Sequence, residues 1–178
     1  MAESVVLMLG SSIIRFWPKG FLDQERVINR GQGRLKSDAL PTYLAAVMEQ
    51  LDRPPTHMVF YCGGNDLRHV HPSCADTIAG IGGALVRGLE TLRARFPSAI
   101  ILLLSVMHGP RLRGLGMVPA ADAVNAQLMA MAANDPWIRY IDVNAHVRAH
   151  HYRPDGVHLT EEGYRVLSKH PAFNLFPA

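Results

Sequence analysis

The sequence predicts an α/β fold, a three-layer α/β/α sandwich built on a parallel sheet, and two patterns lead there. Short apolar runs that do not alternate recur along the chain, as in Val5-Val6-Leu7-Met8-Leu9. A strand covered on both faces needs apolar side chains on both, so such runs suit a parallel sheet better than a half-exposed antiparallel one. Between the runs, apolar residues recur at spacings of three and four, the stripe of an amphipathic helix. Strands alternating with helices of this length form βαβ units with right-handed crossovers, which set helices on both faces of the sheet.

Four runs are strong: Val5 to Leu9, His57 to Cys62, Ala99 to Leu104 and Trp137 to Val143. A fifth, Arg26 to Asn29, is weaker. The first helical stripe is Leu40, Tyr43, Leu44, Val47, Met48 and Leu51. A second runs through Ile78, Ile81, Leu85, Leu89, Leu92 and Phe96, with Pro72 and a capping Ser73 ahead of it. Val124, Leu128 and Met131 form a third. Thr160, followed by Glu161 and Glu162 in the first turn, caps a last short helix that ends near Lys169.

The 178 residues fit one domain spanning 1–178, large enough to bury a core without metal or disulfide support. With 48% apolar and 19% charged residues, the chain has globular composition. Its net charge of +3 comes from scattered cations. No Lys/Arg stripe of the kind that binds nucleic acid occurs. No apolar run reaches the ~18 residues of a membrane span. No basic, then apolar, then small-residue leader precedes Val5, so a cytoplasmic location is expected. Cys62 and Cys74 are too few for a disulfide scaffold. The apolar faces fit a monomer or a homodimer equally.

In such folds ligands bind beyond the carboxyl ends of the strands. The segments that follow the runs there are Gly10-Ser11-Ser12, Asn29-Arg30-Gly31-Gln32-Gly33, Gly63-Gly64-Asn65-Asp66 and, after the last strand and a loop, Asp155-Gly156-Val157-His158. A serine hydroxyl becomes a nucleophile when a neighbouring base accepts its proton. Ser12, on a strand-to-helix turn, is the candidate nucleophile, although a Gly-Ser-Ser turn also serves simple capping. His158 is the candidate base, and Asp155 can orient its ring or merely form a Pro-Asp-Gly turn. Asn65 can donate an amide N–H to an oxyanion, beside the backbone N–H of Ser12 and one from the loop between Gly31 and Arg34. Each part is ordinary alone; their occurrence together, in order and at successive strand ends, is not.

That ordered set resembles the SGNH (GDSL-type) hydrolase family over nearly the whole chain. Val6 to Trp17 is similar to the family's first block, with Ser12 at the nucleophile position; Val27-Ile28-Asn29-Arg30-Gly31-Gln32-Gly33 is similar to the second. Gly63-Gly64-Asn65-Asp66 matches the third and Asp155-Gly156-Val157-His158-Leu159 the last. The resemblance implies a flavodoxin-like five-stranded sheet of order 2-1-3-4-5. It implies an ester hydrolase with Ser12, His158 and Asp155 as its triad and Ser12, Asn65 and either Gly33 or Arg34 as oxyanion donors. A small-molecule ester is the expected partner, and neither metal nor organic cofactor is required. Two positions depart from the common pattern. Ser11 stands where Asp is frequent, and Arg34 follows Gly33 where the second block commonly ends in paired glycines.

Rival readings are weaker. An α/β-hydrolase elbow needs Gly-x-Ser-x-Gly, absent here. A dinucleotide fingerprint needs a third glycine where this chain has Lys36. A catalytically silent member that binds a sugar or lipid headgroup is the alternative, and retention of Ser12, Asn65, Asp155 and His158 together argues against it. His69, His71, His146, His150 and His151 are read as surface or site-lining residues rather than metal ligands. Arg111 and Arg113 form a solvated face or line the substrate pocket, and Cys62 is core packing.

Overall fold

The structure, a computed structural model, describes residues 4–22 and 27–173. Five strands, β1 (Val6–Gly10), β2 (Val27–Asn29), β3 (His57–Tyr61), β4 (Ile100–Leu104) and β5 (Ile138–Ile141), pair in parallel in the order β2-β1-β3-β4-β5. Leu7 opposes Ile28 on one side and Met58 on the other. Arg26, the first residue of the weakest predicted run, lies outside the described residues.

The non-alternating runs are explained by the two cores that they feed. On one face Leu7, Leu9, Met58, Phe60, Ile101 and Leu103 are buried. They pack under α2 (Leu40–Glu49), α4 (Ala75–Arg95) and α6 (Val118–Asn134). On the other, Val6, Met8, Val59, Tyr61, Leu102 and Leu104 meet Ile13 and Ile14 of α1 (Ser12–Arg15) and Tyr164 and Leu167 of α7 (Glu161–Ser168). The three central strands β1, β3 and β4 thus supply both layers in turn, whereas the edge strands β2 and β5 carry the exposed Asn29 and Arg139.

The last helix begins as predicted: the Thr160 hydroxyl accepts from the Gly163 N–H at 3.2 Å. The long helix does not. Its N-cap is Cys74, with no side-chain cap, and the Ser73 hydroxyl meets His71 Nδ1 at 2.7 Å instead. A histidine two residues away offers Ser73 a nearer partner than the first turn does. Two short helices, α3 (Gly64–Leu67) and α5 (Pro110–Gly114), lie in segments that read as loops because one turn is too short to show a period.

Gly10 ends β1 at φ 131°, and a Cβ there would stand 1.8 Å from the Tyr61 carbonyl oxygen. Gly10→Ala is therefore expected to destabilise the fold by roughly 3 kcal/mol or more, since neither the left-handed conformation nor the neighbouring backbone can yield cheaply. A urea denaturation midpoint unchanged from wild type would contradict this.

Candidate active site

The carboxyl end of β1 is braced before it delivers Ser12. The Tyr43 hydroxyl on α2 accepts the Gly10 N–H at 3.0 Å and donates to the Arg30 carbonyl at 2.8 Å, tying together the ends of β1 and β2. Burial pushes this phenol up to about 12, so it stays a neutral donor. The Ser11 N–H donates to the Tyr61 carbonyl at 3.0 Å, and the Tyr164 hydroxyl donates to the Ile13 carbonyl at 2.8 Å. Between these ties Ser12 opens α1, 8% exposed. Its N–H is a first-turn donor with no intrahelical acceptor.

The other side chains arrive from the far end of the chain. His158 Nε2 lies 2.9 Å from Ser12 Oγ, across 146 positions of sequence. His158 Nδ1 lies 2.7 Å from Asp155 Oδ2. With a carboxylate on Nδ1, that nitrogen carries the proton and Nε2 faces the hydroxyl as acceptor. Asp155 Oδ1 accepts the N–H groups of Val157 and His158, both at 2.9 Å. Both roles read for Asp155 therefore hold at once, one per oxygen: it builds the turn and it meets the ring. Partial burial raises this carboxyl, but the bonds from the His158 ring and the two N–H groups, with the His158 charge, outweigh it and hold it at about 2. The Arg153 N–H donates to the His158 carbonyl at 2.7 Å, and the Phe16 ring stands edge-on to the imidazole at 5.2 Å.

The loop is keyed into α5. The Arg111 N–H donates to the Gly156 carbonyl at 3.0 Å, Gly156 sits at φ 68°, and a Cβ on it would lie 2.8 Å from Arg111 N.

Asn65 enters on α3, after Gly63 turns the chain at φ 106°. Its Nδ2 donates to the Leu35 carbonyl at 2.8 Å, and its Oδ1 accepts from the Arg68 guanidinium. These partners fix which end of the amide is nitrogen and leave one N–H unused. The Asp66 carboxylate accepts the Ser37 N–H at 2.9 Å and the Ser37 hydroxyl at 2.7 Å, pinning the loop that carries Gly33 and Arg34. Arg34 is the one described non-glycine residue at positive φ, at 62°. It thus adopts the backbone that favours glycine, where the family's second block commonly has its second glycine. Arg34 borders a groove beside Asn65, whereas Gly33 borders a separate hollow with Arg15, Asn29 and Gln32.

Ser12 and Asn65 line a cleft of about 370 Å³, its open mouth included. Tyr61, Met107 and Tyr152 give it an apolar wall, and Arg68 and Arg111 bring two cations. Arg113, on the exposed side of α5, is not among its lining residues. Cys62 is buried in the core, its thiol pushed up to about 12 mainly by burial. Of the other histidines, His69 lines the groove beside Asn65, and the rest are not among the lining residues of cleft or groove. His146 stacks edge-on with His170 at 4.9 Å, His150 with His151 at 4.1 Å, and His151 Nδ1 accepts the Arg148 N–H at 3.0 Å. Sequence reasoning missed Arg68, Phe16 and Tyr152. Arg68 alone left a trace, at i+3 from Asn65, the spacing of neighbours on one helix face.

Several solved structures share this fold. A member of the lipolytic G-D-S-L family from Veillonella parvula superposes with a TM-score of 0.74 at 20% identity, covering 98% of each chain. A GDSL-like lipase from Bacteroides thetaiotaomicron gives 0.64 at 21%, covering 93% of this chain and 83% of that one. An acetylxylan esterase from Geobacillus stearothermophilus gives 0.68 at 14%, covering 95% and 94%. No curated protein matches the sequence. The GDSL-like lipase/acylhydrolase family, however, matches residues 14–166, a span that begins two residues after Ser12 and takes in Asn65, Asp155 and His158. By that match the chain belongs to the GDSL-like lipase/acylhydrolase family.

Proposed function

We propose that this chain is a serine esterase that hydrolyses short-chain carboxylic esters, acyl or acetyl, through an acyl-enzyme. The observation that carries the reading is the continuous contact from Ser12 Oγ to His158 Nε2 at 2.9 Å and from His158 Nδ1 to Asp155 Oδ2 at 2.7 Å. Ser12 Oγ attacks the ester carbonyl carbon while its proton passes to His158 Nε2, and Asp155 steadies the imidazolium. The carbonyl electron pair moves onto oxygen, where three donors receive it: the Ser12 N–H, the Arg34 N–H and the free Nδ2 hydrogen of Asn65. Arg34 is preferred to Gly33 because it borders Asn65, whereas Gly33 borders a separate hollow; neither N–H has an acceptor among the described residues. Collapse breaks the bond to the alcohol oxygen, which takes the proton from His158. Water then enters, gives a proton to His158 and attacks the acyl carbon; Ser12 leaves with that proton restored.

The chemistry calls for no metal or organic cofactor. The enclosed part of the cleft is small, about 30 Å³, which favours a short acyl group over a long chain. Among the described residues no helix is long and apolar enough to cross a membrane.

The test is covalent labelling. A fluorophosphonate probe is expected to modify Ser12, located by peptide mass mapping, and the same protein is expected to turn over p-nitrophenyl acetate. A native protein that neither labels nor turns over would be a silent binder of the same fold. Asn65→Ala should lower kcat by a factor on the order of 10²–10³ with KM little changed, because its N–H acts on charge that exists only in the transition state. A change confined to KM would assign Asn65 to ground-state binding instead.

A further inference from the structure

Beyond the ester-cleaving groups, the site opens sideways into a groove of about 860 Å³, solvent at its mouth included, lined by Arg34, Lys36, Asn65, Arg68, His69 and Arg111. Four of these six are cations and none is a carboxylate. Asn65, Arg68 and Arg111 line both the groove and the catalytic cleft, so the two are continuous. The acidic side chain nearest in sequence, Asp66, is buried, with Oδ1 engaged by Ser37 rather than by any of the four cations. Arg68 gives one guanidinium nitrogen to Asn65, and its Nε is buried without a hydrogen-bond partner. Like charges gathered on one rim repel one another, and an anion entering the groove relieves that repulsion while accepting from the spare N–H donors. Guanidinium groups also match carboxylate and phosphate oxygens two at a time.

Resting on the esterase reading, we infer that the substrate is an anionic ester, whose carboxylate or phosphate is held in this groove by Arg34, Lys36, Arg68 and Arg111 while its ester carbonyl lies at Ser12. Lys36 and Arg111 are specificity determinants that act on the charged part of the substrate. The mild excess of cations in the whole chain then has a local purpose.

The experiment compares charged and neutral esters of matched shape on the native protein and on Lys36→Gln, Arg111→Gln and the double variant. On the alcohol side, 4-acetoxybenzoate and 4-acetoxyphenyl phosphate are set against 4-acetoxybenzamide. On the acyl side, the 4-nitrophenyl monoester of glutaric acid is set against 4-nitrophenyl valerate. Expected is a kcat/KM ratio of charged to neutral ester of about tenfold or more on at least one side at low salt. The ratio should fall severalfold in the double variant and again in 0.5 M NaCl. The benzoate and phosphate arms tell which anion fits. Neutral esters turned over as fast as charged ones on both sides, with a ratio blind to salt and to both substitutions, would overturn the inference and leave the esterase reading standing. If no ester is turned over, the esterase reading falls. Calorimetric binding of 4-acetoxyphenyl phosphate, weakened in the double variant, then still upholds the groove as an anion site, and no binding overturns it.

Discussion

Replacing Ser12 by Ala is expected to lower kcat for p-nitrophenyl acetate by a factor on the order of 10⁶, and His158→Ala to lower it about as far. The double variant should be no slower than either single one. The reason is that the two side chains act as one unit. Without the base, the Ser12 hydroxyl keeps its proton and stays a weak nucleophile; without the hydroxyl, His158 has only water to activate, with no nucleophile held at the ester carbon. Residual turnover above the uncatalysed rate should survive in all three, because the backbone N–H of Ser12 and the Asn65 amide remain. Single-turnover kinetics with the three proteins check this. Additive losses, or a Ser12→Ala protein as fast as wild type, would remove Ser12 from the nucleophile's role. Folding should not confuse the result, since among the described residues the Ser12 hydroxyl meets only His158 and alanine keeps the Cβ of this buried position.

Asp155→Asn is expected to cost on the order of 10⁴ in kcat, with little effect on KM. An amide at this position would offer N–H to Nδ1 and favour the tautomer whose proton sits on Nε2, where Ser12 needs an acceptor. In the proposed mechanism the carboxylate would also oppose the positive charge that His158 gains at each transition state. The substitution leaves one oxygen to accept the N–H groups of Val157 and His158, so the turn should survive, and a circular dichroism spectrum should match wild type. The acid behaviour follows from a carboxyl held at about 2, below its usual value near 4. A depressed pKa contributes stability that is fully present above about pH 4 and is lost as pH falls through about 2. The stability gap between wild type and Asp155→Asn should therefore stay constant above pH 4 and narrow only below it. Denaturation midpoints measured at a series of pH values check the window; a gap that closes near pH 6 would contradict it. The carboxylate is half exposed, so solvent screening keeps the gap small.

The sheet and its helices were legible because their signals are local. A strand buried on both faces must be apolar at successive positions, and a helix over a sheet must be apolar every three to four. Val5 to Leu9 and the stripe from Ile78 to Phe96 carry those signals without reference to the rest of the chain. Boundaries failed where two local partners competed, as when Ser73 bonds to His71 rather than capping the long helix. Short helices at Gly64–Leu67 and Pro110–Gly114 were hidden because four or five residues complete barely one turn.

For the site, the residue types and their order were readable, since each block sits at a strand end and keeps its short-range spacing: Asp155 and His158 are three apart and share one turn. What the sequence by itself determined is thus the fold class, the strand-end loops and the identity of the groups they offer. What only the tertiary structure decided is which of those groups meet. Ser12 and His158 are brought to 2.9 Å by strand order and register, not by proximity in the chain. The Arg34 backbone at φ 62°, the Arg68 grip on Asn65 and the gathering of Arg34, Lys36, Arg68 and Arg111 around one groove arise the same way. Contacts between distant segments are set by packing the whole sheet at once, and no window of sequence carries that information.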